Sequence, residues 1–134
     1  MSMLFFTGYP GFLGSRLLPR ILRRTEGTHA ICLVQPAVAD LPRRRLGDQD
    51  FAEPDLRGRV RLVEGDISRA DLGLGAALRR IASEVSEVYH LAAIYELGVR
   101  REVGMRVNLY GTRHLLDFAA ACPGLERLHY VSTC

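Results

Sequence analysis

The feature that most narrows what this chain can fold into is a glycine-rich turn, Thr7-Gly8-Tyr9-Pro10-Gly11-Phe12-Leu13-Gly14. It follows the apolar run Met3-Leu4-Phe5-Phe6 and opens a helical pattern, so it sits where a strand passes into a helix. A turn in that place points to a dinucleotide pyrophosphate site. Gly8 permits the tight turn, Gly11 lets backbone approach a phosphate, and Gly14 lets the helix lie against its strand. The unpaired amides at the helix start then face the anion. The spacing is Gly-x-x-Gly-x-x-Gly rather than Gly-x-Gly-x-x-Gly, so the flanking elements carry the reading. A Walker phosphate loop is excluded, because Ser15-Arg16 stand where its lysine is required. All 18 cationic side chains are in fact arginine.

With 134 residues, 48% hydrophobic and 25% charged, the chain is expected to form one domain, residues 1–134, with a real core. The net charge of +3 comes from scattered arginines with no aromatic interleaving, so these are read as solvated helix faces and no nucleic-acid partner is expected. Cys32, Cys122 and Cys134 are widely spaced and odd in number, which suits free thiols in a reducing compartment. No run approaches the roughly 20 apolar residues that span a bilayer. There is no charged leader either, and a cytoplasmic location without membrane contact is expected.

Five apolar or β-branched runs recur, at 3–6, 30–34, 60–63, 85–91 and 128–131, separated by helical patterns or irregular connections. The first helix, 12–24, is expected to turn Leu13, Leu17, Ile21 and Leu22 toward a sheet, with Pro19 kinking it or altering its second turn. A long helix over 99–121 stacks Met105, Leu109, Thr112, Leu116 and Ala119 at helical spacing, and 76–82 reads as a short amphipathic segment. The connection 35–59, with three prolines and Arg43-Arg44-Arg45, is expected to be long and partly irregular. Alternating β and α elements predict an α/β fold: a Rossmann-type doubly wound parallel sheet in the order 3-2-1-4-5 with right-handed crossovers.

Asp66, at the end of the third strand, can accept from an adenine amino group or cap the segment after it. His90 reads as a satisfied strand-end histidine; nothing nearby supplies further ligands at metal spacing, so no metal site is expected.

Taken in order, Thr7 to Gly14, Gly65-Asp66-Ile67, His90-Leu91-Ala92-Ala93, Asn108-Leu109-Tyr110-Gly111-Thr112 and Tyr130-Val131-Ser132-Thr133 resemble the N-terminal part of an extended short-chain dehydrogenase/reductase. This superfamily includes epimerases and dehydratases, and the last motif is most similar to its thioester and fatty acyl reductase branch. The resemblance implies that Gly8, Gly11, Phe12, Leu13 and Gly14 wrap the pyrophosphate and that Asp66 and Ile67 meet the adenine. It also implies that Leu91, Ala92 and Ala93 flank the phosphates and ribose. Asn108 would hold backbone or water behind the nicotinamide, and Ser132 or Thr133 would hydrogen-bond the substrate oxygen.

The departures carry as much weight. Family catalysis uses a tyrosine with a lysine four residues on, the cation lowering the phenol pKa. This chain has no lysine, and its nearest mimic is Tyr110 with His114. The expectation is a fragment of a longer NAD(P)-dependent oxidoreductase or epimerase/dehydratase. The catalytic pair and most of the small-molecule substrate site would lie outside it, leaving this chain alone inactive. The alternative is a non-catalytic dinucleotide sensor or scaffold. A flavodoxin-like or receiver domain explains the alternation but not the glycine turn. The last apolar strand would form an uncovered edge that drives association, in the benign case as a homodimer.

An NAD-selective site places Asp or Glu about 20 residues beyond the glycines. Here the second strand ends in Val34-Gln35-Pro36, so Gln35 takes the ribose-facing position. The reading leans to NADP over NAD, with Arg43 to Arg45 either reaching the 2′-phosphate or forming a solvated run.

Overall fold

The structure is a computed structural model that describes residues 2–36 and 57–132. Arg43, Arg44, Arg45, Thr133 and Cys134 lie outside the described residues, as does most of the 35–59 connection.

Five strands form one parallel sheet in the order β3-β2-β1-β4-β5: β1 Ser2–Thr7, β2 Thr28–Val34, β3 Val60–Glu64, β4 Glu87–His90 and β5 Arg127–Tyr130. The expected order stands. β1 is central, and its alternating side chains feed two cores. Leu4 and Phe6 pack with Leu18 and Leu22 of α1 (Phe12–Arg24), while Phe5 packs on the other face with Ile81, Leu115 and Phe118. Those last three belong to α2 (Leu78–Glu84), which follows a 3₁₀ turn at Gly75–Ala77, and to α4 (Gly111–Ala120). Burial on both faces is why β1 reads as an unbroken apolar run.

Two expectations about helix faces are corrected. α1 turns Gly14, Ser15, Leu18, Pro19 and Leu22 inward, whereas Leu13 is 55% exposed and Leu17 and Ile21 lie at the margin of the core. The glycine turn brings the first turn of α1 so close to β1 that only small residues fit there. Pro19 sits within a helix that runs unbroken from Phe12 to Arg24.

The long helix is three pieces, α3 (Arg101–Gly104), a widened π turn (Met105–Tyr110) and α4. The Gly111 amide donates to the Arg106 carbonyl, five residues back. Its buried stripe is Gly111, Leu115, Phe118 and Ala119, with Val107 and Cys122 in contact with the same core, while Leu109 and Leu116 are about half exposed. Two apolar stripes compete on this helix. The one containing glycine faces the core, where a Cβ at Gly111 would lie 2.9 Å from Ile67 Cδ1 and the Ile67 side chain would have to shift to admit it.

Candidate functional site

The glycine turn closes around one carbonyl. Gly8 has φ +95°, and a Cβ there would lie 2.8 Å from Leu91 Cβ. The Gly11 amide donates to Gly8 O at 2.9 Å, and a Gly11 Cβ would come within 2.8 Å of that oxygen. A Gly14 Cβ would overlap it. All three glycines therefore answer to the Gly8 carbonyl or to the loop after β4. Ser15, which sequence reasoning did not single out, locks the arrangement: its Oγ lies 2.6 Å from Pro10 O and 2.7 Å from Gly11 O.

With those carbonyls engaged, the amides of Phe12, Leu13 and Gly14 open α1 with no acceptor inside the helix. No acidic residue occupies the first turn and no side chain caps it, so nothing in the helix itself opposes an anion at its start. The Arg16 guanidinium stacks 4.0 Å from the Phe12 ring beside it.

A groove of about 870 Å³ runs from this turn across the carboxyl ends of β1, β2 and β4, where the order of the sheet reverses. Gly8, Gly11, Phe12, Leu13, Gly14, Gln35, Ile67, Leu91, Ala92 and Ala93 all line it. So do Ile94, Tyr95 and Glu96, which the sequence did not mark because they lie past the motif in a segment without periodicity, and Val107, which lies off the helical stripe read from the sequence. Asp66 is not among the lining residues. Its Oδ1 accepts from the Ser68 amide at 2.9 Å and the Ser68 hydroxyl at 2.7 Å, so that carboxylate oxygen holds the turn after β3.

Asn108 stands in the π turn and clamps the backbone of one residue on both sides. Its Oδ1 accepts from Ile94 N at 2.8 Å and its Nδ2 donates to Ile94 O at 2.7 Å. The wall of the groove at Ile94 is thereby fixed from the helix behind it. Ser132 is exposed beyond β5, where Val131 N donates to His90 O. His114 donates through Nδ1 to Ile67 O at 2.8 Å, and Tyr110 is 46% exposed, so the Tyr110 and His114 spacing does not form a paired phenol and base.

His90 is 1% exposed, and burial pushes its imidazole down from 6.5 to about 4. Both of its ring nitrogens have hydroxyl partners. Burial pushes the Cys32 thiol far up and the Cys122 thiol to about 11, so neither is a nucleophile near neutral pH. Among the described residues no cluster of three or more His, Cys, Asp or Glu could hold a metal, and no helix is long and apolar enough to cross a membrane.

The model of an NAD-binding family described as male sterility protein matches residues 6–134. The terminal reductase domain of the myxalamid PKS-NRPS pathway superposes with a TM-score of 0.86 at 31% identity, covering 99% of this chain and 34% of that one. Fatty acyl-CoA reductase 1 of Arabidopsis thaliana is 29% identical over 150 residues, covering 97% of this chain and 30% of the relative. Glycine betaine reductase of Emericella nidulans is 34% identical over 137 residues, covering 95% of this chain and 11% of the relative. The chain thus spans about a third or less of each of these relatives.

Proposed function

This chain belongs to the male sterility protein family of NAD-binding domains, and on that premise we propose that it is the dinucleotide-binding part of a carbonyl-reducing enzyme. The observation that carries the reading is the turn of three glycines at the mouth of the groove, packed so closely on itself and on the loop after β4 that a Cβ at any of them would clash. The groove's size and its open helix start fit a nicotinamide dinucleotide. When bound, that cofactor supplies a hydride for transfer to a substrate carbon.

The protein's own share of the work is binding and placement. The amides of Phe12, Leu13 and Gly14 take the pyrophosphate, and Ile67, with Asp66 at its turn, borders the adenine end. Leu91, Ala92 and Ala93 leave room for the ribose, and Asn108 holds Ile94 at the nicotinamide end. Ser132 or Thr133 supplies the hydroxyl toward the substrate oxygen. The proton-donating tyrosine and its lysine have no counterpart in this sequence, so the substrate and most of its site belong to the longer protein. Gln35 in place of a carboxylate at the end of β2 supports NADP over NAD. In a second reading the domain binds dinucleotide without turning it over.

Titration calorimetry of the four oxidised and reduced dinucleotides tests the first reading. Saturable binding lost in Gly11→Asp is expected, with the phosphorylated pair tighter. A folded chain that binds none of them would sink it. Turnover of a carbonyl substrate by the whole protein separates the reductase from the non-catalytic binder.

A further inference from the structure

Thr7, His90 and Thr112 form a line of hydrogen bonds in which every donor can be assigned by elimination. Thr112 Oγ1 lies 2.7 Å from the Asn108 carbonyl, which can only accept, so the hydroxyl proton goes there. Toward His90 Nε2, 3.1 Å away, the Thr112 oxygen therefore accepts, and Nε2 carries the ring proton. A neutral ring then leaves Nδ1 bare, and it accepts the proton of Thr7 Oγ1 at 2.7 Å. The two remaining lone pairs of Thr7 Oγ1 take the amides of Leu91 and Ala92, each at 3.2 Å. The Leu91 amide is shared with the Thr7 carbonyl, also at 3.2 Å, while each side-chain proton in the line has a single acceptor.

We propose that His90 is a positioning residue for the groove: its Nε2–H tautomer joins Thr7, at the foot of the glycine turn, to Thr112 and the Asn108 clamp, tethering the 91–94 wall at both ends. Thr7 holds the first two amides of that segment and Asn108 holds the last residue, with the imidazole as the rigid spacer between them. Facing the ring are the Thr7 hydroxyl from β1, the Thr112 hydroxyl from α4 and, stacked at 5.4 Å, the titratable Tyr130 ring from β5. A second ring proton would point at a Thr7 oxygen whose lone pairs are already filled, so the Leu91 amide would have to retreat to Thr7 O alone or the Ala92 amide let go. The inference rests on the cofactor reading only for the purpose of the tether; the tether itself is testable without ligand.

The experiment uses the ¹⁵N-labelled chain. Imidazole nitrogen shifts should give His90 as the Nε2–H tautomer at neutral pH. Amide exchange at Leu91, Ala92 and Ile94 should be at least tenfold faster in Thr112→Val than in wild type, with Phe5 and Phe6 unchanged and Thr112→Ser within twofold of wild type. Dinucleotide affinity should fall about tenfold in Thr112→Val and recover in Thr112→Ser. An Nδ1–H tautomer in the wild type would overturn the proposal however the variants fold. Unchanged loop exchange, or a rise spread evenly over the sheet, would overturn it as well. Equal affinity of Thr112→Val and wild type would remove the positioning role. A wild type that keeps the exchange pattern but binds no dinucleotide would instead refute the cofactor reading.

Discussion

At the scale of single residues, the glycine turn was legible because each glycine answers a backbone demand that sequence spacing reports. Gly14 makes the sharpest test, since the atom its Cβ would strike is the Gly8 carbonyl, which cannot swing aside as a side chain can. Gly14→Ala should push the start of α1 away from β1, costing about 1–3 kcal/mol of stability and at least tenfold in dinucleotide affinity. Urea unfolding and calorimetry would read both, and wild-type affinity in a folded variant would refute the contact.

His90 was legible only as a satisfied strand-end histidine, because its partners lie 83 and 22 residues away in sequence. Its folded pKa of about 4 lies below the ordinary 6.5. On acidification the unfolded chain therefore takes up the proton first, and stability conferred by the neutral ring is complete above about pH 6.5. It is lost as pH falls toward 4, by about 3 kcal/mol in all. Urea midpoints measured across that window should fall steeply in the wild type and less so in His90→Gln; parallel profiles would contradict the assignment.

At the scale of elements, strands were easier to read than helix faces. The central strands β1 and β2 show their burial in apolar runs, but the helix through residues 101–120 offers two stripes at similar spacing, and the close packing of Gly111 on Ile67 marks the one that is buried. The π turn that aims Asn108 at Ile94 had no sequence signal, since a one-residue widening leaves composition and periodicity almost unchanged. The junction of α1 with β2 was hidden for another reason. Its clamp comes from Arg59, one arginine among 18, whose guanidinium donates to Leu22 O, Thr25 O and Thr28 O at 2.7 Å each. It thereby satisfies carbonyls at the helix C-terminus, where a cation is also favoured by the helix dipole. Arg59→Met, which keeps most of the stem, should lower stability by about 2 kcal/mol. Because Arg59 sits at the end of α1 away from the groove, dinucleotide affinity should stay within twofold. A large affinity loss would show that the two ends of α1 are coupled.

At the scale of the whole molecule, alternation of elements and a single handedness rule were enough to order five strands, because they leave few topologies open. The same order makes the two edges of the sheet unequal. β3 presents Arg61 and Glu64 to solvent, and Arg61 is paired with Glu84 at 3.1 Å, so that edge carries the charge that discourages strand addition. β5 ends in Tyr130, with Val131 just beyond it, 53% and 42% exposed, beside a ladder that pairs only with β4 among the described residues. Exposed apolar side chains next to unpaired backbone groups favour pairing with a second strand, and a second copy of this chain is the one always available. Sedimentation of the purified chain from micromolar to millimolar concentration should therefore show its mass rising reversibly. Tyr130→Lys and Val131→Lys together should hold it monomeric, since a lysine on an edge strand makes pairing with another edge unfavourable. Variants placing charge on the β3 edge should leave the association unchanged. A wild type that stays monomeric throughout would mean that the β5 edge is already protected within the chain.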